Sequence, residues 1–496
     1  MAVAGRTRAT IGIDVGTSGL KGVLLAEDGR VLDTATATYP CEHPRPGWSE
    51  QDPARWWQAC CAVLNELKRS ADAEIVGLGL TGQMHGAVFL DPKHEVVRPA
   101  ILWNDARTRA EVHEIEERIP RARLIEITGN RASAGFQAPK ILWLAANEPE
   151  HAHRVASILL PKDYLRLELT GELATDASDA SGTLLLDFGT RRWSREVIET
   201  LGIDERLLPE VFESTEITGR LSVEAAAATG LKTGLPVVAG GGDNACAALG
   251  MGLIGEGGGC SLGTSGTVFV RSPEPMLDRT GSLNAFCDAA GGWHLMGVIL
   301  SAGASLGWWA ERILDDPDGI EALLDGAAAV PAGAEGLMFL PYLAGERSPH
   351  MNPDARGAWL GLTLAHDRRH LTRALLEGVG FALRDCLERT RELGLRPERL
   401  ALTGGGSKSA FWRGLLASQL DVELEGAANG DGPALGAAML ATVGTGIFPD
   451  LAAAVTACVR PPTFRVQADP KLARIYAGVH ARWRAAYPAL QAAGVF

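Results

Sequence analysis

Over the first 80 residues the apolar positions fall in short runs separated by turn residues. One run ends at Asp14 in "IGID", a second spans 21–26 and a third 30–38, with a glycine-rich break after the first and Asp28-Gly29 after the second. Such runs predict strands joined by hairpins, here a three-stranded antiparallel meander. A proline-rich stretch follows, closed by Asp52 as N-cap and Pro53 at the first helical position of "ARWWQACCAVLNELKR". The run "EIVGLGL" then reads as a strand, so the order is βββαβ.

The second half repeats this order. A strand runs to Leu262, strands follow over 267–271 and 293–298, then a helix near 304–314 and a later strand in "ERLALT". Each meander carries the same turn, Gly16-Thr17-Ser18-Gly19 and Gly263-Thr264-Ser265-Gly266. Repetition at so large a separation indicates a duplicated domain. With 496 residues, too many for one core, the chain is expected to divide into 1–242 and 243–496, with the seam near 240–242. The fold class is α/β, and apolar residues at helical spacing over 469–493 predict a closing helix.

Composition narrows the partners. Hydrophobic residues make up 46% and charged residues 22%, and the net charge is −13 without a basic run, which disfavours nucleic acid and anionic membranes. Eight cysteines without Cys-x-x-Cys spacing read as reduced, buried thiols. No stretch of 18 apolar residues occurs and "MAVAGRTRAT" lacks a signal-like apolar run, so a cytoplasmic location is expected.

A tight Gly-Thr-Ser-Gly turn exposes consecutive backbone N–H groups and two hydroxyls, a concave seat for an anion. Asp14 before the first copy and Lys21 after it add a seat for Mg²⁺-bound water and a cation for phosphate. No Gly-Lys dipeptide occurs, so a triphosphate is not bound through a Walker A loop. Two G-x-G-x-x-G matches, at 77–82 and 250–255, each lack the strand-turn-helix context of a dinucleotide site.

In "LPVVAGGGDNACAALGMG" a buried strand reaches three glycines and Asp243 opens a helix. The helix N-terminus is expected to hold that carboxylate ionised, as a general base, a ligand of metal-bound water, or an ordinary N-cap. Met84 and His85 end one strand; Trp103, Asn104 and Asp105 open a loop. The glycines at 404–406 before "SAFWRGLLASQL" and those of "GDGPALGAAML" (430–440) are candidate nucleotide seats.

Together, "GIDVGTSGLK", "WSEQDPARWW", "GQMHGAVFLD", "PAILWNDART", "LLPKDYLRLELTGE", "SDASGTLLLD", "VVAGGGDNA", "SLGTSG", "FLPYLAGERSPH", "LEGVGFAL" and "GPALGAAML" resemble the FGGY carbohydrate kinases, and within them the xylulokinase branch. The resemblance implies two actin-like, ribonuclease-H-like domains around a central cleft, sugar on the first and nucleotide on the second. It implies ATP-dependent phosphorylation of a ketopentose, D-xylulose to its 5-phosphate, with ATP and Mg²⁺. By the same resemblance Asp243 is the catalytic base and Asp14 serves metal and phosphate. Met84, His85, Trp103, Asn104 and Asn244 lie on the sugar side. Gly16, Thr17, Ser18, Lys21, Gly263, Thr264 and Ser265 lie near the phosphates, and Gly405 and Ser409 near the adenosine. A homodimer stays open. Gln137, Ala146 and Leu375 depart from the family pattern. The alternatives are a kinase for another ketose or polyol, such as ribulose or L-xylulose, an NAD-dependent oxidoreductase resting on the two glycine fingerprints, and a non-catalytic actin-like sensor.

Overall fold

Two seven-stranded mixed sheets form the frame, one built from each half of the chain. The computed structural model describes residues 6–70, 72–317, 319–427 and 432–495. In the first sheet Thr7–Val15 is central: Gly19–Ala26 lies antiparallel to it, followed by Val31–Thr38, and Ala73–Gly82 lies parallel on its other side. Ala9, Ile11 and Ile13 on one face and Thr10 on the other are fully buried, as expected of a strand covered on both faces. Helix Pro53–Ser70 covers one face through Trp56, Val63, Leu64 and Leu67. Asp52 caps it, accepting from the Ala54 N–H at 3.0 Å.

The second sheet repeats the plan. Gly257–Leu262 lies between antiparallel Gly266–Ser272 and parallel Arg399–Thr403, with Trp293–Ile299 beyond the hairpin. One strand that the pattern missed, Asn284–Cys287, pairs outside Trp293–Ile299. The helical stretch near 304–314 is also shorter than the repeat requires. It is Gly303–Trp308 followed by a π turn over Trp309–Ile313, stopped by Asp315 at φ 52° and by Pro317. The helix that precedes the parallel return strand is Arg368–Glu392 instead, which packs on the 266–272 and 293–299 strands.

Helix Gly432–Gly444 comes from the second half of the chain but lies on the free face of the first sheet. Two strand glycines permit this. A Cβ on Gly12 would lie 1.9 Å from Ala434 O and one on Gly79 1.9 Å from Ala437 O. The fingerprint at 77–82 is thus the inside of a strand whose glycines admit a helix backbone, and the one at 250–255 ends helix Asp243–Gly250 with left-handed turns at Gly252 and Gly255. Neither forms the dinucleotide turn that the oxidoreductase alternative needs. The Asp243–Gly250 helix packs in turn on Gly432–Gly444, where a Cβ on Gly436 would meet Cys246 O at 2.0 Å. Of the stretch 430–440, Gly430 and Asp431 lie outside the described residues.

Helix Pro470–Ala492 closes the chain, burying Tyr476, Val479, Trp483 and Tyr487 against the second core, while Ile475 of the same expected face is 46% exposed. None of the eight cysteines forms a disulfide, and Cys41 and Cys61 are only half-buried. Cys61 follows buried Cys60 on one helix, and consecutive helical side chains point different ways. The three family departures have local explanations. Gln137 Nε2 donates to Gly86 O at 2.8 Å and Leu159 O at 3.1 Å; Leu375 is buried in the second core; Ala146 lines an outer groove.

Candidate active site

The first Gly-Thr-Ser-Gly turn is braced by side chains. Gly16 N–H donates to Gly19 O at 3.0 Å and Tyr39 Oη donates to Gly16 O at 2.7 Å. Gln51 Nε2 donates to Thr17 O at 2.7 Å, and the Thr17 hydroxyl accepts from Trp103 Nε1 at 3.0 Å while facing Gln83 Oε1 at 3.3 Å. Ser18 is exposed at the tip. Trp103 therefore meets the turn as well as the His85 pocket described below. Asn104 is exposed and, among the described residues, its side chain has no hydrogen-bond partner. The two copies of the turn are not equivalent. Val15 pairs with Leu20 across the first but Leu262 pairs with Gly266 across the second, which closes one residue earlier. Thr264 O and Gly263 O accept from Ala302 and Gly303 N–H at 2.9 and 2.8 Å.

Asp14 ends the central strand, opposite Lys21 across the hairpin. Burial pushes its carboxyl up to about 6, against the charge of Lys21. Asp243 is the first residue of its helix, and its Oδ1 accepts from Asn244 N–H at 2.7 Å. Burial first, and the neighbouring charge of Asp14 second, push its carboxyl up to about 7. This corrects the expectation that the helix N-terminus holds it ionised: in an eight-residue helix the dipole is outweighed by desolvation and a like charge.

Beneath Asp243 lies a buried ionic knot that sequence reasoning quoted but gave no role. Gly242 N–H donates to Ser178 Oγ at 3.0 Å, and Ser178 Oγ donates to Asp176 Oδ2 at 2.5 Å. Lys162 Nζ lies 2.6, 3.0 and 3.4 Å from Asp163, Asp176 and Asp179. Burial alone would discharge Lys162, but these carboxylates hold it charged. Arg166 donates to Val238 O at 2.9 Å and also to Ala239 O. The glycine run is thus clamped on both sides of its bend, which fixes where Asp243 emerges.

Met84 is buried beside Gly242, and Asn244 Nδ2 lies 3.8 Å from its sulfur. His85 follows at φ 70°, a left-handed conformation that its surroundings must hold. Lys140 Nζ supplies part of that hold, donating to His85 O at 2.7 Å and Gly135 O at 2.5 Å; burial pushes Lys140 down to about 7. His85 Nδ1 sits 2.6 Å from Gly182 O, and a carbonyl only accepts, so Nδ1 carries the proton. Burial pushes the ring down to about 3, so it is neutral and Nε2 is an acceptor. The ring lines a narrow pocket, about 30 Å³, with Trp103, Arg131, Asn284, Phe286 and Arg347.

On the other wall a cavity of about 1090 Å³ is lined by Gly263, Thr264, Leu306, Gly405, Ser409 and Phe411. Ser409 also caps the Ala410–Leu420 helix by accepting from Trp412 N–H at 3.2 Å. Gly16, Thr17, Ser18 and Lys21 belong to the first turn and do not line this cavity; Ser265, at the second turn, does not line it either. Gln51, Gln83, Lys140 and Arg347 were missed as site residues. All four stand in stretches that resemble the family, "WSEQDPARWW", "GQMHGAVFLD", "GFQAPKILWLAAN" and "FLPYLAGERSPH", but residue type alone gives none of them a role.

Among the described residues no three His, Cys, Asp or Glu side chains gather as a metal cage, and no helix is long and apolar enough to cross a membrane. The model for the FGGY carbohydrate kinase N-terminal domain matches residues 9–250, and that for the C-terminal domain residues 258–445. The chain is 45% identical to a xylulose kinase of Escherichia coli over 87% of its own length and 89% of that protein's. It is 41% identical to a xylulose kinase of Lactococcus lactis over 96% of both. A xylulose kinase structure from Rhodospirillum rubrum superposes with TM-score 0.92 at 32% identity, covering 98% of this chain and 99% of that one. A gluconate kinase structure from Lactobacillus acidophilus reaches TM-score 0.93 at 27% identity, covering 98% of both chains, so the fold by itself does not choose the acceptor. Two domain models that span most of the sequence, over a site with an acid at the first turn and a second acid at the helix start, establish that the chain belongs to the FGGY family of carbohydrate kinases.

Proposed function

We propose that this sugar kinase transfers the γ-phosphate of ATP to the C5 hydroxyl of D-xylulose, with Asp243 as general base. The observation that carries the reading is the position of Asp243. It opens the helix whose next residue, Asn244, meets Met84, the neighbour in sequence of His85, and it stands within the field of Asp14, which ends the strand before the first turn. The xylulose kinases most like the chain in sequence support the choice of sugar. The 1–242 part then holds mainly the sugar and the 243–496 part mainly the nucleotide.

In the step itself the C5 oxygen attacks the γ-phosphorus in line and the bond to the leaving ADP oxygen breaks. Asp243 takes the proton late. A carboxyl that titrates near neutrality suits this exchange, because it is ionised in part at working pH yet basic enough to accept. Gly16, Thr17, Ser18 and Lys21 from one turn and Gly263, Thr264 and Ser265 from the other would cradle the phosphates, with Gly405 and Ser409 toward the adenosine. The lone acid on the first turn fits a cation shared with phosphate oxygens and water better than a protein cage. Asp14 would hold Mg²⁺ in that way, and when bound the ion supplies charge neutralisation on the transferred group. Free thiols throughout support a reducing, cytoplasmic setting.

The base contributes about 10²- to 10⁴-fold, and alignment between the two walls of the cleft the rest. ADP release measured side by side with D-xylulose, L-xylulose, D-ribulose and glycerol tests the proposal. Faster turnover of any of the last three than of D-xylulose would overturn the choice of sugar. ATP binding without sugar-dependent ADP release from any acceptor would favour a sensor.

A further inference from the structure

Arg347 is the one strongly cationic group of the sugar pocket for which the described residues offer no counter-ion within 4 Å. Its neighbours are tightly fixed. Glu346 Oε1 accepts from Leu300 N–H at 2.9 Å and from Arg347 N–H at 2.8 Å. Ser348 N–H donates to Val298 O at 2.9 Å, Val298 N–H donates to Ser348 Oγ at 3.1 Å, and Ser348 Oγ donates to Ser282 O at 2.7 Å. Backbone anchors on either side thus hold residue 347 at one place in the second half of the chain.

The guanidinium between these anchors makes no side-chain hydrogen bond or ion pair among the described residues, although burial pushes its pKa down. The nearest acid, Glu346, spends its bonded oxygen on backbone amides. The group reaches across to the first half: a Cβ built on Gly135 would lie 4.0 Å from Arg347 Nη2, and the pocket it shares with His85 and Trp103 is only about 30 Å³. An arginine serving as a strut between the halves would end on a carboxylate or a carbonyl, since a half-buried guanidinium without acceptors is costly. Its five donors point to an acceptor that arrives with the ligand.

The order of groups along the cleft says which end of the ligand that is. Asp243 precedes Asn244, whose Nδ2 lies 3.8 Å from the Met84 sulfur, Met84 precedes His85, and His85 shares its pocket with Arg347. With the phosphorylated hydroxyl at Asp243, the far end of a ketopentose, its O1 hydroxyl and O2 carbonyl, falls at Arg347. We infer that Arg347 is a substrate-binding residue that donates from the second half of the chain to the O1–O2 end of the ketose, so that the sugar is gripped from both walls of the cleft. The inference rests on the sugar-kinase reading above and adds a residue that spans the cleft to it.

The test compares the wild type with Arg347→Ala and Arg347→Lys, varying ketose and ATP separately. The Ala variant should raise KM for D-xylulose about 10- to 100-fold, the worth of a charged hydrogen bond, while KM for ATP stays within about twofold. Lys should recover part of the loss, and added guanidinium ion should recover part of it in the Ala variant. An unchanged ketose KM, or parallel rises in both KM values, would overturn the inference. Absence of D-xylulose turnover by the wild type would instead refute the choice of sugar, and the same comparison then applies to the sugar that is turned over.

Discussion

Replacing Asp243 with Asn removes a proton acceptor and also removes a charge that the fold holds at a cost. In the folded chain its carboxyl keeps a proton up to about 7, whereas its ordinary value is 3.8. Between those values the native state binds more protons than the unfolded one, so stability falls as pH rises through the window. At about 1.4 kcal/mol for each unit, the raised carboxyl of Asp243 costs the fold about 4 kcal/mol at pH 8, about 2 at pH 5 and under about 1 at pH 4. Asn has the same shape without the charge. Asp243→Asn should therefore unfold at higher urea than the wild type at pH 8, with the difference shrinking several-fold by pH 4. Both proteins must be free of nucleotide, metal and sugar. The same variant should lose about 10²- to 10⁴-fold in kcat. An Asn variant no more stable at pH 8, or one whose gain is the same at pH 4 and pH 8, would refute the reasoning. It would mean that the helix N-terminus governs this carboxyl after all.

Other consequences are open to measurement. The acid limb of kcat/KM for the ketose should lie near pH 7, because Asp243 must be ionised to accept the proton; in Asp14→Asn, followed by single turnover, that limb should move to lower pH, and an unmoved limb would clear Asp14 as a source of the shift. His85→Ala should lower kcat/KM for D-xylulose by about tenfold or more and ADP release to water by less, whereas equal losses would argue against contact with the sugar. Gly79→Ala places a Cβ 1.9 Å from Ala437 O; a backbone atom cannot swing aside, so destabilisation of about 3 kcal/mol or more is expected, and an unfolding midpoint equal to that of the wild type would show that the 432–444 helix can shift away.

How much of this was legible in the sequence depended on the range of the interaction. The strands around both turns, the Asp52 cap and the closing helix follow from patterns a few residues long, and they fall where the patterns put them. The partner of Gly79 is different: the strand and its covering helix lie far apart in sequence, and no local period reports that glycines are needed to seat a helix backbone. The identity of the helix that covers the second sheet has the same origin. Apolar spacing near 304–314 is real, but only the sheet shows that the element in register with Pro53–Ser70 is Arg368–Glu392. At the site, Asp14, His85 and Asp243 could be named from their stretches. Gln51, Gln83 and Lys140 act through backbone carbonyls and one another, which leaves no signature in residue type. The state of Asp243 was read with the wrong sign because a helix start is visible in sequence and burial beside a second acid is not.

The two Gly-Thr-Ser-Gly turns bring these strands of reasoning together. Identical letters have diverged into different supports: the first turn is pinned by Tyr39, Gln51, Gln83 and Trp103, whereas the second is pinned by backbone amides of Ala302 and Gly303. The acid position differs in step with this. Asp14 opposes Lys21 in one hairpin; in the other the corresponding residue is Ser261, bonded to Thr267 at 2.9 Å. A second acid on that hairpin would face the same phosphates as Asp14 and raise each carboxyl further, as Asp14 already does to Asp243. With the remaining acid at the start of the 243–250 helix, the proposed base lies off the two turns proposed for phosphate. One acid can then serve charge neutralisation while the other serves proton transfer, a division that two equivalent turns could not make.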